Sequence, residues 1–150
     1  MARYETTVRT HLPPTDVFDY MADLAHFAEW DPGVRSVEQV VGDGAGPESA
    51  FLVTVDGPGR GIELRYATVE FDRPETVTVE ATTRLLTSRD RIDVTPIDPS
   101  DPAGGSLVRY RAELSLNGVL RFADPLLRPL FTRIARRADE GLRGALGAKS

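Results

Sequence analysis

The sequence predicts an α+β domain: a curved antiparallel sheet of about seven strands wrapped around a long C-terminal helix, with two short helices after the first strand. Three observations predict it. The stretch Asp124 to Leu146, DPLLRPLFTRIARRADEGLRGAL, carries Leu127, Leu130, Phe131, Ile134, Ala138, Leu142 and Ala145 at helical spacing, with Arg133, Arg136, Glu140 and Arg143 on the opposite side. The middle of the chain is a run of alternating segments punctuated by turn residues. No crossover helix lies between those segments, so they pair as antiparallel neighbours. At about 1.5 Å per residue the terminal helix runs roughly 35 Å, and only the β-rich middle offers enough apolar surface to cover its stripe.

Taken in order, Tyr4 to Leu12 alternates: Tyr4, Thr6, Val8, Thr10 and Leu12 share one face of a strand, and Glu5, Thr7, Arg9 and His11 share the other. Pro13 and Pro14 end it. Thr15 is expected to cap a helix whose apolar side is Val17, Phe18 and Met21, with Asp16 and Asp19 at its positive end. A second short helix, from about Leu24 to Glu29, is capped by Asp23 and stopped by Asp31, Pro32 and Gly33. Strands follow at Val34 to Val41, Phe51 to Val55, Ile62 to Phe71, Val77 to Thr83, about Ser88 to Thr95, and Leu107 to Leu116. In Ile62 to Phe71, Leu64 and Tyr66 share a face that Val69 and Phe71 do not, so a bulge is expected. In the last helix Pro129 lacks the N–H that would bond the Pro125 carbonyl, which predicts a kink or restart. The small residues Ala138, Gly141 and Ala145 either let backbones touch or leave a hole; the expectation is free volume.

Composition bounds the function. A chain of 150 residues, 41% hydrophobic and 27% charged, is one domain over 1–150 with a single core, burying roughly 70% of its unfolded surface. Its net charge of -5 argues against nucleic acid, because a phosphate backbone needs a clustered positive field. Asp139 and Glu140 interrupt the arginines of the last helix, which reads as a solvated face rather than an anion or membrane-surface site. With no cysteine there is no disulfide, thiol nucleophile or thiolate metal site, and His11 and His26 stand far apart. No metal and no cofactor are expected. The N-terminus has no apolar signal core, and no apolar run nears the ~20 residues that cross a bilayer. A cytoplasmic protein without stable membrane insertion is expected. GDGAG and GPGRG lack both the Lys-Ser/Thr ending of a P-loop and the GxGxxG spacing, so they are hairpin turns. No Ser-His-Asp set suggests itself.

At the residues, TTVRTHLPPTDVFDYMADLAHFAEWDPGVRSVE resembles the opening of the polyketide cyclase/dehydrase and lipid-transport family, a branch of the START-like, Bet v 1-like (SRPBCC) superfamily. Its hallmarks here are Val17-Phe18-Asp19-Tyr20, Trp30-Asp31-Pro32, the strand pair TVTVEATTR and SRDRIDVTP, and Gly118-Val119-Leu120 before DPLLRPLF. The resemblance covers nearly the whole chain. It implies the helix-grip fold, with a cavity between the last helix and the concave sheet. Members bind or transform diverse apolar molecules, so fold alone does not establish an enzyme.

Alternation then nominates the lining of that implied cavity. The sheet contributes Phe51, Val53, Leu64, Tyr66, Ile92, Tyr110 and Ala112, and the helix contributes Phe131, Ile134, Ala138 and Gly141. Trp30 is a rim residue or a packing wedge, and Phe27 beside it lines the cavity or joins the core. Asp90 is the oddity, a carboxylate in register with Ile92 and Val94. Either it pairs with Arg89, Arg91 or Arg84 or sits at a wet strand end, or it is an acid or base whose pKa is raised by burial. Tyr66 and Tyr110 offer hydroxyls to a ligand or to water. Asp90, Tyr110 and Tyr66 are thus the candidate catalytic groups. Three functions stand: a binding or carrier protein for a lipid, quinone or polyketide-like aromatic; a cyclase or dehydratase moving protons in the same cavity; and a protein-interaction module, a homodimer included.

Overall fold

The computed structural model describes residues 2–56, 59–101, 103–118 and 124–148, with 124–131 and 148 described by backbone alone. The chain runs β1 (Ala2–Thr10), α1 (Pro14–Ala22), a 3-10 turn (Leu24–His26), α2 (Phe27–Trp30), β2 (Val34–Val41), β3 (Ala50–Val55), β4 (Ile62–Asp72), β5 (Thr76–Thr82), β6 (Leu86–Pro96), β7 (Ser106–Leu116) and α3 (Asp124–Ala148). The seven strands form one curved antiparallel sheet in the order β1-β7-β6-β5-β4-β3-β2. Every hairpin pairs with its sequence neighbour except that β1 closes against β7. Alternation holds where one face is core: on β1, Val8 and Thr10 are buried and Arg9 exposed.

The β4 bulge is where the alternation implied it. The register with β5 slips between Thr68 and Glu70, leaving Val69 exposed. One extra residue reverses the faces, so Phe71 turns back inward and meets Phe18 of α1 edge-on, ring centroids 5.4 Å apart. Arg73, in the turn that follows, donates from Nε and Nη2 to both carboxylate oxygens of Asp19 at 2.7 and 2.8 Å. That pair fixes α1 to the β4–β5 end of the sheet.

Three expectations for the helices need correction. Thr15 does not cap α1: Pro13 holds the cap position without a side-chain bond, and Pro14 opens the helix. A proline at the first helical position has no N–H that needs a cap and comes with a helical φ. Asp23 does cap, accepting from the Ala25 N–H at 3.0 Å. At the other end, α3 spans Pro129 as one element, so of the expected kink or restart the helix does not restart there. Its buried seam is Ala135, Ala138, Leu142 and Leu146, whereas Ile134 is 42% exposed and does not line the interior. The small side chains at 135 and 138 let α3 approach closely, and the seam centres on them, one residue away from Ile134.

Polar bonds lock α3 to β1. Thr6 Oγ1 donates to Asp139 Oδ1 at 2.7 Å, Arg143 Nη2 donates to Thr6 Oγ1 at 3.0 Å and to the Thr7 carbonyl at 3.2 Å, and Thr10 Oγ1 donates to the Leu146 carbonyl at 3.2 Å. The helix also packs on α2. A Cβ built on Gly141 would collide with the Trp30 carbonyl oxygen, so this glycine is a point of backbone contact. The free volume expected at Gly141 is absent there.

Candidate functional site

The site begins with the alternation of β6. Ser88, Asp90, Ile92 and Val94 point to the buried face. Arg89 and Arg91 point outward, where Arg89 Nη1 donates to Glu80 at 2.9 Å and Arg91 donates to Glu70 and to Asp93 at 3.1 Å. Arg84 lies exposed in the turn before the strand. The ion-pair reading of Asp90 therefore fails. Its backbone neighbours are Val79 on β5 and Ala112 on β7, and its partner comes from the diagonal: Tyr110, paired with Ile92, donates its hydroxyl to Asp90 Oδ2 at 3.0 Å. No other hydrogen bond to the Asp90 carboxyl exists among the described residues.

Burial dominates the electrostatics. It pushes the Asp90 carboxyl up to about 7; the Tyr110 hydrogen bond opposes the rise and the nearby Asp31 charge adds to it. Tyr110 is driven well above its ordinary value by burial first and by the Asp90 charge second. Tyr66 rises for the same two reasons in the same order. Its hydroxyl shares a 2.7 Å hydrogen bond with Ser88 Oγ. Ala67 pairs with Glu80 and Ala81 with Ser88, so the Tyr66 side chain crosses β5 at Ala81, where a methyl group leaves it room.

Asp31 is linked to this cluster electrostatically. It follows α2, accepts the Gly33 N–H at 2.9 Å, is itself raised by burial, and acts electrostatically on Asp90, Tyr66 and Tyr110. The short helix also supplies an aromatic wall. Trp30 meets Tyr110 edge-on at 5.3 Å, Phe27 lies 4.9 Å from Trp30, and Phe27 meets Tyr66 edge-on at 6.3 Å. Ser88, Asp90 and Tyr110 retain 8%, 5% and 5% of their surface, whereas Phe51 and Val53 retain none. The polar cluster is thus buried to nearly the same degree as the apolar core around it.

Of the nominated residues, Asp90, Tyr110, Tyr66, Trp30, Phe27 and Ile92 meet in one region, and Leu64 is buried beside Tyr66 on β4. Ala112 is half-buried, Ala138 is packed into the α3 seam, and Phe131 lies outside the described side chains. Ser88 and Asp31 were not nominated. Ser88 sits two residues before Asp90 and so shares its face, a signal the alternation carries; Asp31 stands in the Trp30-Asp31-Pro32 motif, but nothing in the sequence relates its charge to Asp90. Chemically, a carboxyl poised near neutrality beside a phenol is able to move a proton or to fix the polar end of an apolar ligand. Two shallow clefts of about 160 and 250 Å³ open elsewhere, one among the outward Arg89, Arg91 and Arg111, the other beside Pro14, Pro74 and Pro96, and neither includes the cluster.

Comparison with known proteins bears on the family and the fold. The model of the family described as polyketide cyclase / dehydrase and lipid transport matches residues 1–147. Among solved structures, a START superfamily protein from Mycobacterium smegmatis superposes with a TM-score of 0.74 at 12% identity, covering 97% of each chain. The Zhui aromatase/cyclase from Streptomyces sp. R1128 gives 0.72 at 14% identity, covering 96% of this chain and 90% of that one. Ara h 8.0201 gives 0.62 at 18% identity over 96% of both. At these identities the likeness is one of fold, the helix-grip. No curated protein matches the chain.

Proposed function

The chain belongs to the polyketide cyclase / dehydrase and lipid transport family, and from that premise we propose that it binds a hydrophobic small molecule between the inner face of the sheet and α3, with Asp90 and Tyr110 at the polar end. The observation that carries this reading is a buried carboxyl that accepts a single hydrogen bond among the described residues, beside an aromatic wall. Apolar area supplies most of the affinity in such a site, and a few placed polar groups supply orientation. Asp90 and Tyr110 hold the ligand's polar end, and Phe27 and Trp30 lie against its apolar part.

A second reading uses the same residues. The converging Asp90–Tyr110 pair, with its carboxyl near 7, suits proton transfer in a cyclase- or dehydratase-type reaction on a poly-carbonyl chain folded by the pocket. The two are separated by measuring dye displacement and turnover together on the wild type, Asp90→Asn and Tyr110→Phe. Binding alone predicts dye affinities within a few-fold across the three proteins and no turnover. Catalysis predicts the same affinities with turnover in the wild type, reduced roughly 10²–10⁴-fold in Asp90→Asn. Failure of the wild type to take up any apolar dye would remove both readings.

A further inference from the structure

The interior cluster holds two carboxyls, Asp90 and Asp31. The Tyr110 hydroxyl donates to Asp90, and the Tyr66 and Ser88 hydroxyls share one hydrogen bond, which leaves one O–H of that pair able to donate elsewhere. Among the described residues, the acceptors without a partner are Asp90 Oδ1 and one oxygen of Asp31, whose other oxygen takes the Gly33 N–H. No arginine, lysine or histidine interacts with either carboxyl among the described residues; the charges that act on Asp90 and Asp31 are acidic. Around them stand four rings, Phe27, Trp30, Tyr66 and Tyr110, in an edge-and-face chain with centroids 4.9–6.3 Å apart.

We propose that the ligand's polar end is a cationic nitrogen: the site takes an apolar amine or quaternary ammonium, held by Asp90 and Asp31 against the faces of these rings. The proposal rests on the ligand-binding reading and narrows it. A buried carboxylate is costly without a counter-charge, and an incoming ammonium supplies one and donates to the Asp90 carboxyl. Aromatic faces carry the negative end of a quadrupole and attract such a cation further. A carboxylate at the same place would bring a further negative charge beside two acids. A metal ion is the poorer fit, because no group of three or more His, Cys, Asp or Glu stands together among the described residues and hard cations require more oxygen ligands than two carboxyls give.

The test uses matched probes: naphthylmethylammonium and its neutral alcohol, and the shorter benzyl pair, each titrated into the full-length protein by displacement of an apolar dye at neutral pH. The expected result is a preference for the ammonium over its alcohol of about tenfold, lost in Asp90→Asn while the alcohol's affinity is unchanged, and reduced in Asp31→Asn. Asp31→Asn and Trp30→Leu keep the question answerable if Asp90→Asn does not fold. Binding of both members with equal or better affinity for the alcohol would overturn the cationic ligand and leave the apolar-ligand reading in place. Preference that survives in every folded variant would also overturn it. Binding of neither member in wild type, with an apolar dye still taken up, would overturn the proposal alone; loss of dye binding as well would remove the reading beneath it.

Discussion

Asp90 owes its character to what its neighbours are not. Val79 and Ala112 flank it on the adjoining strands, the arginines of its own strand face outward, and a phenol is its partner. Folded, the group keeps its proton until about pH 7, whereas the ordinary value is 3.8. Between those values the folded state holds more protons than the unfolded one, so this group's contribution to stability falls as pH rises and is fully lost above about 7. Asp90→Asn cannot show that fall. Chemical denaturation from about pH 4 to about pH 8 should therefore find the variant gaining on wild type by a few kcal/mol, on the order expected for such a shift; parallel profiles would show that the carboxyl is not held protonated. Tyr66 and Ser88 allow a separate check. Tyr66→Phe leaves Ser88 Oγ without its partner and should cost ~1–2 kcal/mol, and adding Ser88→Ala should cost less than the two changes summed, because both remove one bond. At this scale the sequence was partly legible. Alternation placed Asp90 inward, but its partner sits on a diagonal of a strand twenty residues away, which no local pattern encodes.

The elements converge at α2, a single helical turn held on two sides. Its Trp30 ring lies on Tyr110 of the sheet and its Trp30 carbonyl lies on Gly141 of α3. Glycine is needed at 141 for steric reasons alone. Gly141→Ala should lower the melting temperature despite the better helix propensity of alanine, since overpacking of about 1–3 kcal/mol outweighs a gain of about 1 kcal/mol. Gly144, one turn further on the same helix, has nothing within 4 Å of a built Cβ, so Gly144→Ala should stabilise by the full propensity difference, ~0.5–1 kcal/mol, and raise the melting temperature. Opposite signs at the two glycines are the expected outcome, and equal signs would deny the contact at Trp30. The sequence showed that α3 carries small residues but not which of two consequences they have. Pattern reads side-chain type, whereas the choice between a hole and a touching backbone depends on how close α2 comes. The Ile134 misplacement has the same origin, because a seam one residue over shifts with the approach of the helices.

For the whole molecule, the architecture was legible because it rests on periodicity and on connection length. Alternating segments joined by short turns have one economical arrangement, an antiparallel meander, and a terminal helix with an apolar stripe has one surface long enough to receive it. Even the break in β4 was readable, since Val69 and Phe71 fell out of phase with Tyr66. The site was less legible because it forms only when β4, β6, β7 and α2 close on one another. Among the described residues no helix is long and apolar enough to cross a membrane, and the ligand site we propose lies beside the Asp90–Tyr110 pair. Trp30 is the only tryptophan of the chain, and it stands in van der Waals range of Tyr110 at that site. The most direct measurement is therefore the emission of Trp30 during titration with an apolar ligand. Occupancy of the cluster predicts a saturable, one-to-one change in its intensity or wavelength, with the midpoint matching affinity measured by calorimetry. Calorimetric binding that leaves Trp30 emission unchanged would place the ligand elsewhere and contradict the site.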